Sequence, residues 1–211
     1  MKKSLLVSLM LFCAGINAQT YAFDFLTKYK LKTKDPKHEG ESVNYFNSDD
    51  FAYYMHLVKG PDSFRALLTD RGRMLAHRFT VTESKVKGEI YFSFTYDSSF
   101  KLNNRSKEIK SRIEFKEIPG STHQVLMKKY ASKKAKKPVS EERLTLSPAN
   151  KNLFLMYSIS RSSEVDYGIN FPGNHIVTRA EITEGKENCE VVLDEYMNVD
   201  LVVTLPGEVK F

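Results

Sequence analysis

The sequence predicts a mainly β protein: an antiparallel meander forming a curved sheet, half-barrel or barrel, with few short helices. Three observations carry this. Apolar residues recur with a period of two in run after run, the spacing at which side chains of a strand share one face. Clusters of Gly, Pro, Asn, Asp and Ser separate those runs at near-even intervals, as short hairpins require. No long helical crossover is visible, and parallel neighbours cannot do without one.

The chain begins with Lys2 and Lys3, a short apolar run from Ser4 to Ala14, and Ile16-Asn17-Ala18. That is the layout of a cleavable secretory signal peptide over 1–18, with Gln19 as the new N-terminus. The apolar run is shorter than the roughly 20 residues a membrane-spanning helix needs. The rest of the chain, 19–211, is expected to be exported as a single β-rich domain, periplasmic or extracellular and in contact with an outer membrane.

Tyr21 to Thr33 predicts a long first strand, bent in its middle. Asn47-Ser48-Asp49-Asp50 is the next turn, and Phe51, Tyr53, Met55 and Leu57 give the strand after it. Lys59-Gly60-Pro61-Asp62 and Thr69-Asp70-Arg71-Gly72 are turns, with Phe64 to Leu68 between them expected as a turn or two of helix. Ile90, Phe92, Phe94 and Tyr96 alternate most cleanly, with Tyr91, Ser93 and Thr95 on the other face. Lys101 to Arg112 is a basic, polar connection. Shorter strands follow at Ile113 with Phe115, Val125 with Met127, and Leu144 with Leu146. Ser132 to Lys137 is a second short helical expectation, stopped by Pro138. Leu153, Leu155, Tyr157 and Ile159 predict a strand by the same period. Ile176 through Ile182, and Val199 through Leu205, complete the set.

Composition narrows the class. The 193 residues after Ala18 suffice to bury a core without staples. They include 13 of the chain's 14 Phe and all 11 Tyr, which supply large apolar area. Cys189 is the sole cysteine once Cys13 leaves with the leader, so no internal disulfide forms, and a buried, inert thiol is expected. Formal charge falls from +6 to +4 with the loss of Lys2 and Lys3, mildly basic and not diagnostic of nucleic acid.

Motifs for chemistry are missing. The five histidines match no ligand spacing, so no metal site and no cofactor are expected. No nucleophile elbow is present, and no catalytic residue is assigned. Adjacent carboxylates such as Glu141 and Glu142 point to opposite faces of a strand, a poor arrangement for shared acid–base work. An enzyme assembled from scattered His, Ser and Asp residues ranks third among the functional readings.

Two features point elsewhere. Six lysines, Lys128, Lys129, Lys133, Lys134, Lys136 and Lys137, fall within ten residues. They are either a solvated connection or a contact for an anionic envelope surface; nucleic acid is not expected, since only Tyr130 interleaves them. The alternating aromatic faces either fill a core or line a cavity for a lipid-like ligand. In the second case Phe92, Phe94, Tyr96, Tyr53, Met55, Leu155 and Tyr157 are the ligand-facing set.

The tail Phe171-Pro172-Gly173-Asn174-His175-Ile176-Val177, followed by Cys189 to Leu205 and Pro206, resembles in layout the outer-membrane lipoprotein carrier family. The resemblance covers most of 19–211 and includes no specific motif. It implies an unclosed β-barrel whose apolar concave face binds lipid-like groups in the periplasm. The expected function is therefore an exported, non-enzymatic binding protein for an apolar or amphiphilic small molecule. The alternative is an envelope or cell-surface module that binds a protein or polyanion through its lysines.

Overall fold

The computed structural model describes residues 19–60, 63–87, 89–102, 112–161, 169, 171–185 and 187–211. The leader, Pro61, Asp62 and most of the Lys101–Arg112 connection lie outside them.

Eleven strands form one antiparallel sheet. They are β1 (Thr20–Thr33), β2 (Gly40–Asn47), β3 (Asp50–Lys59), β4 (Phe64–Asp70), β5 (Leu75–Val86), β6 (Glu89–Lys101), β7 (Arg112–Glu117), β8 (Gln124–Tyr130), β9 (Ser140–Pro148), β10 (His175–Glu184) and β11 (Glu187–Thr204). Among the described residues one α-helix, α1 (Phe154–Arg161), lies between β9 and β10, and a 3-10 turn covers Pro36–His38. The strand order is β6-β5-β4-β3-β2-β1-β11-β10-β9-β8-β7. The chain thus starts in the middle, meanders to one edge, restarts at the other edge and returns to pair its last strand with its first.

That route constrains the shape. Positions 103–111 give nine residues between Leu102 and Arg112, a reach of at most about 36 Å. Eleven flat strands spaced by about 4.8 Å hold their two edges about 48 Å apart. Chain length alone excludes a flat sheet. The expected curved, unclosed sheet is what forms.

Register shows where the core sits. Leu26 pairs with Tyr45 and Tyr29 with Ser42, in a β1–β2 ladder without irregularity. Residues of odd separation on such a ladder face opposite ways, so Tyr29 and Tyr45 lie on opposite faces. Tyr45, Met55, Leu68, Phe79, Tyr21, Phe23 and Val203 form one core. Tyr29, Leu144, Phe154, Tyr157, Val177, Ala180 and Val191 form another, continued by Phe46, Tyr54, Met156 and Ile176. The sheet therefore carries two cores, one on each face. We call the face under α1 the helix side and the other, closed by residues 205–211, the tail side.

The outward face of each lobe carries polar and charged pairs. Behind the helix-side core, Lys28 bridges Glu41 and Asp194 (3.2 and 3.3 Å), and Lys30 also reaches Asp194 (2.9 Å). Behind the tail-side core, Thr80 donates to Asp97 (3.0 Å). Strands β2 and β3 serve both cores, with consecutive buried pairs Tyr45-Phe46 and Tyr54-Met55. Pairing of β1 with β11 shifts between Phe23 and Phe25 and again between Lys28 and Tyr29. Such bulges bend a strand and increase its twist, and these two bracket the switch between cores.

Three expectations are corrected. Leu153 to Ile159 is not a strand but the approach to and body of α1. Asn152 Oδ1 accepts from the Phe154 N–H (3.1 Å), starting a helix that is buried on most of its circumference because it fills the concave helix side. Phe64 to Leu68 is not helical but β4, paired on both flanks with Phe64, Ala66 and Leu68 on the tail side. Ser132 to Lys137 forms turns rather than helix; the Val139 N–H donates to the Lys129 carbonyl (2.8 Å), closing a hairpin connection. Lys128 and Lys129 belong to β8, not to that connection.

Candidate functional site

Helix α1 enters beside the β2–β3 turn, where Lys151 Nζ donates to Ser48 Oγ (2.8 Å) and bridges Asp49 (2.7 Å). It ends at Arg161, near the start of β2 and the end of β10. Tyr157 and Arg161 are four residues apart and so project from one helix face. Both meet Glu142 of β9, which is 1 % exposed. The Tyr157 hydroxyl donates to its Oε2 (2.6 Å), and the Arg161 guanidinium pairs with its Oε1 and reaches Glu184 Oε2 (3.5 Å). Burial pushes the Glu142 carboxyl above its ordinary value, opposed by Arg161 and Tyr157.

An open pocket of about 360 Å³ lies beyond the end of α1, at the low end of the size range of small-molecule sites. Tyr29 and Leu31 of β1, Ile182 of β10 and Val191 of β11 make its apolar floor. Arg161, Ser42, Ser160 and Glu184 add a polar lip. The Asn44 amide donates to both Ser42 Oγ (2.9 Å) and Ser160 Oγ (3.0 Å), so each hydroxyl keeps its own proton to donate elsewhere. Cys189 also lines the wall, and burial raises its thiol pKa, which keeps it protonated. The pocket offers an apolar bed edged by hydroxyl donors, the Arg161 guanidinium and the carboxylates of Glu41 and Glu184.

The seven expected ligand-facing residues divide between the two cores. Tyr53, Met55, Phe94 and Tyr96 pack in or against the tail-side core. Phe92 stands further out on β6, its ring meeting Phe64 edge-on. Leu155 and Tyr157 ride on α1. None of the seven is among the residues lining the pocket. The pocket residues gave little sequence signal, because β1, β2, α1, β10 and β11 each contribute only one to three of them.

A second constellation sits in the tail-side lobe. Ser99 Oγ lies 2.7 Å from His77 Nδ1, His77 Nε2 lies 3.3 Å from the Tyr21 hydroxyl, and that hydroxyl donates to Asp70 Oδ2 (2.7 Å). The order imitates a nucleophile, base and acid, but His77 is 0 % and Ser99 3 % exposed. A nucleophile must meet its substrate, and this one is sealed, so the chain serves as a buried polar tie. Burial lowers the His77 pKa, countered by the charge of Asp70. Among the described residues no group of three His, Cys, Asp or Glu side chains is placed to hold a metal.

The lysines separate by role. Lys128 Nζ pairs with Glu141 (2.6 Å) and Lys129 is half-buried. Lys133, Lys134, Lys136 and Lys137 are exposed in the β8–β9 connection, without an ion pair to any described residue. No protein-family model matches this chain, and no curated protein matches it.

Proposed function

We propose that the protein is an exported, non-enzymatic binder of an apolar or amphiphilic small molecule, held in the pocket beyond α1. The observation that carries this reading is the pairing of an apolar floor (Tyr29, Leu31, Ile182, Val191) with a polar lip in one open concavity. Small-molecule sites are concave and mostly apolar, with a few polar groups that fix orientation. The interior on which the aromatic strands converge is filled, with Met55, Leu68 and Phe79 at or near zero exposure, so the ligand site is displaced to the end of the helix.

Native mass spectrometry of the purified protein after incubation with a lipid extract tests this. One retained amphiphile per chain is expected, and Leu31→Trp, which fills the floor, abolishes retention without lowering the thermal midpoint. An empty wild-type protein after such loading rejects the reading.

A further inference from the structure

The register fixes what lies beside the pocket mouth. Glu184, on the pocket lip, pairs with Ser140, and Ser140 pairs with Lys129. The connection 131–139 therefore projects from the same end of the sheet as the mouth, two strands to its side, or about 10 Å in the hydrogen-bonding direction. Within it Lys133, Lys134, Lys136 and Lys137 are exposed. Beside them Val139 is 45 % exposed, an apolar side chain among cations that pair with no described residue.

We infer that this rim docks on the anionic headgroup surface of a lipid bilayer and turns the pocket mouth toward it. The inference deepens the pocket reading by naming the surface from which the ligand is drawn, and rests on it for that purpose. Clustered lysines are attracted to anionic leaflets within a Debye length, and an apolar side chain among them gains by entering the interface. A nucleic-acid strand fits less well, since stacking aromatics are needed. The single aromatic of the segment, Tyr130, is buried, with the Arg112 guanidinium 3.9 Å over its ring and its hydroxyl bonded to Glu114 (2.9 Å).

Co-sedimentation of the whole purified protein with phosphatidylcholine vesicles, with and without phosphatidylserine, measures docking. Binding only to the anionic vesicles, weakened by salt, is expected. At about fivefold per lysine near the surface, K133Q/K134Q/K136Q/K137Q lowers partitioning by roughly several hundredfold. Equal binding by this variant overturns the inference, as does equal binding to neutral vesicles. Tighter, salt-sensitive binding to heparin or to a single-stranded oligonucleotide than to the anionic vesicles also overturns it. Ligand retention measured on the same samples separates the two ideas. The lysine variant keeps its loaded amphiphile if only docking is lost, and Leu31→Trp still docks if only the pocket is lost.

Discussion

The tail-side lobe is filled by rings that its own strands supply, whereas the helix-side lobe imports α1 to fill a concavity that its strands leave open. In the first, Tyr53 meets Tyr21 and Phe23 edge to face, Phe79 meets Tyr96 in the same way, and residues 205–211 close the curl: the Ser99 N–H donates to the Lys210 carbonyl (2.6 Å), and the Lys210 N–H donates to the Tyr96 hydroxyl (2.9 Å). In the second, the eight residues of α1 stop short of the end of the strands, and the part that no described residue fills is the pocket. One sheet thus makes a sealed interior on one face and an accessible one on the other. The difference comes from how far the filler extends, since both faces alternate apolar and polar residues alike.

The polar centres differ in the same sense. His77 is held neutral inside the sealed lobe, whereas Glu142 and Arg161 form a buried charge pair under the open one. Arg161→Met strands the Glu142 carboxylate and costs about 3–5 kcal/mol of stability by urea unfolding. The double variant with Glu142→Gln recovers most of that loss, and failure to recover it breaks the assignment of Glu142 as the stranded partner. Phe79→Ala, in the sealed lobe, costs about 3–5 kcal/mol through its cavity and leaves ligand retention by the intact fraction unchanged.

Acid acts in opposite senses on the buried histidines and on Glu142. His77 and His56 have folded pKa values lowered by burial, so the unfolded chain takes up protons first as pH falls. Their stabilisation is complete above about pH 6.5 and is lost progressively below it. Glu142 has the opposite sign: its raised folded pKa adds stability as pH falls toward the ordinary carboxylate range, and that contribution is lost as pH rises through the folded value. Urea midpoints between about pH 7.5 and about pH 5.5 are expected to fall for the wild type, and less for His77→Gln. An unchanged slope in that variant contradicts the buried tie. The smallest effect is expected from removing residues 206–211. Three hydrogen bonds of Lys210, one with the Ser99 N–H and two with the Tyr96 hydroxyl, are lost with the packing of Val209, about 2–3 kcal/mol in total, seen as faster amide exchange at Ser99 with no change at α1.

Strand placement was legible where one face is buried and the other wet, as in β6 and β11. Leu153 to Ile159 was not, because Leu-Phe-Leu-Met-Tyr-Ser-Ile satisfies both a period of two and a helical period. What decides between them is the Asn152 cap and the concave surface that receives the helix, and the second is absent from any local window. Phe64 to Leu68 failed for the converse reason: its strand state depends on β3 and β5 on either side. The double-sided burial of β2 and β3 left a mark in the consecutive bulky pairs Tyr45-Phe46 and Tyr54-Met55. The pocket left almost none, because its floor residues look like any others that alternate along a strand.

The union of β1 with β11 at the centre of the sheet has a further consequence. The first strand of the sheet waits for the last, so a partly folded chain holds residues 20–33 with one ladder of N–H and C=O groups unmatched. Closure across nearly the whole contour length is slow, and during that interval the bare edge is a template for a stranger's strand. Whatever attends the chain while it folds must mask that edge.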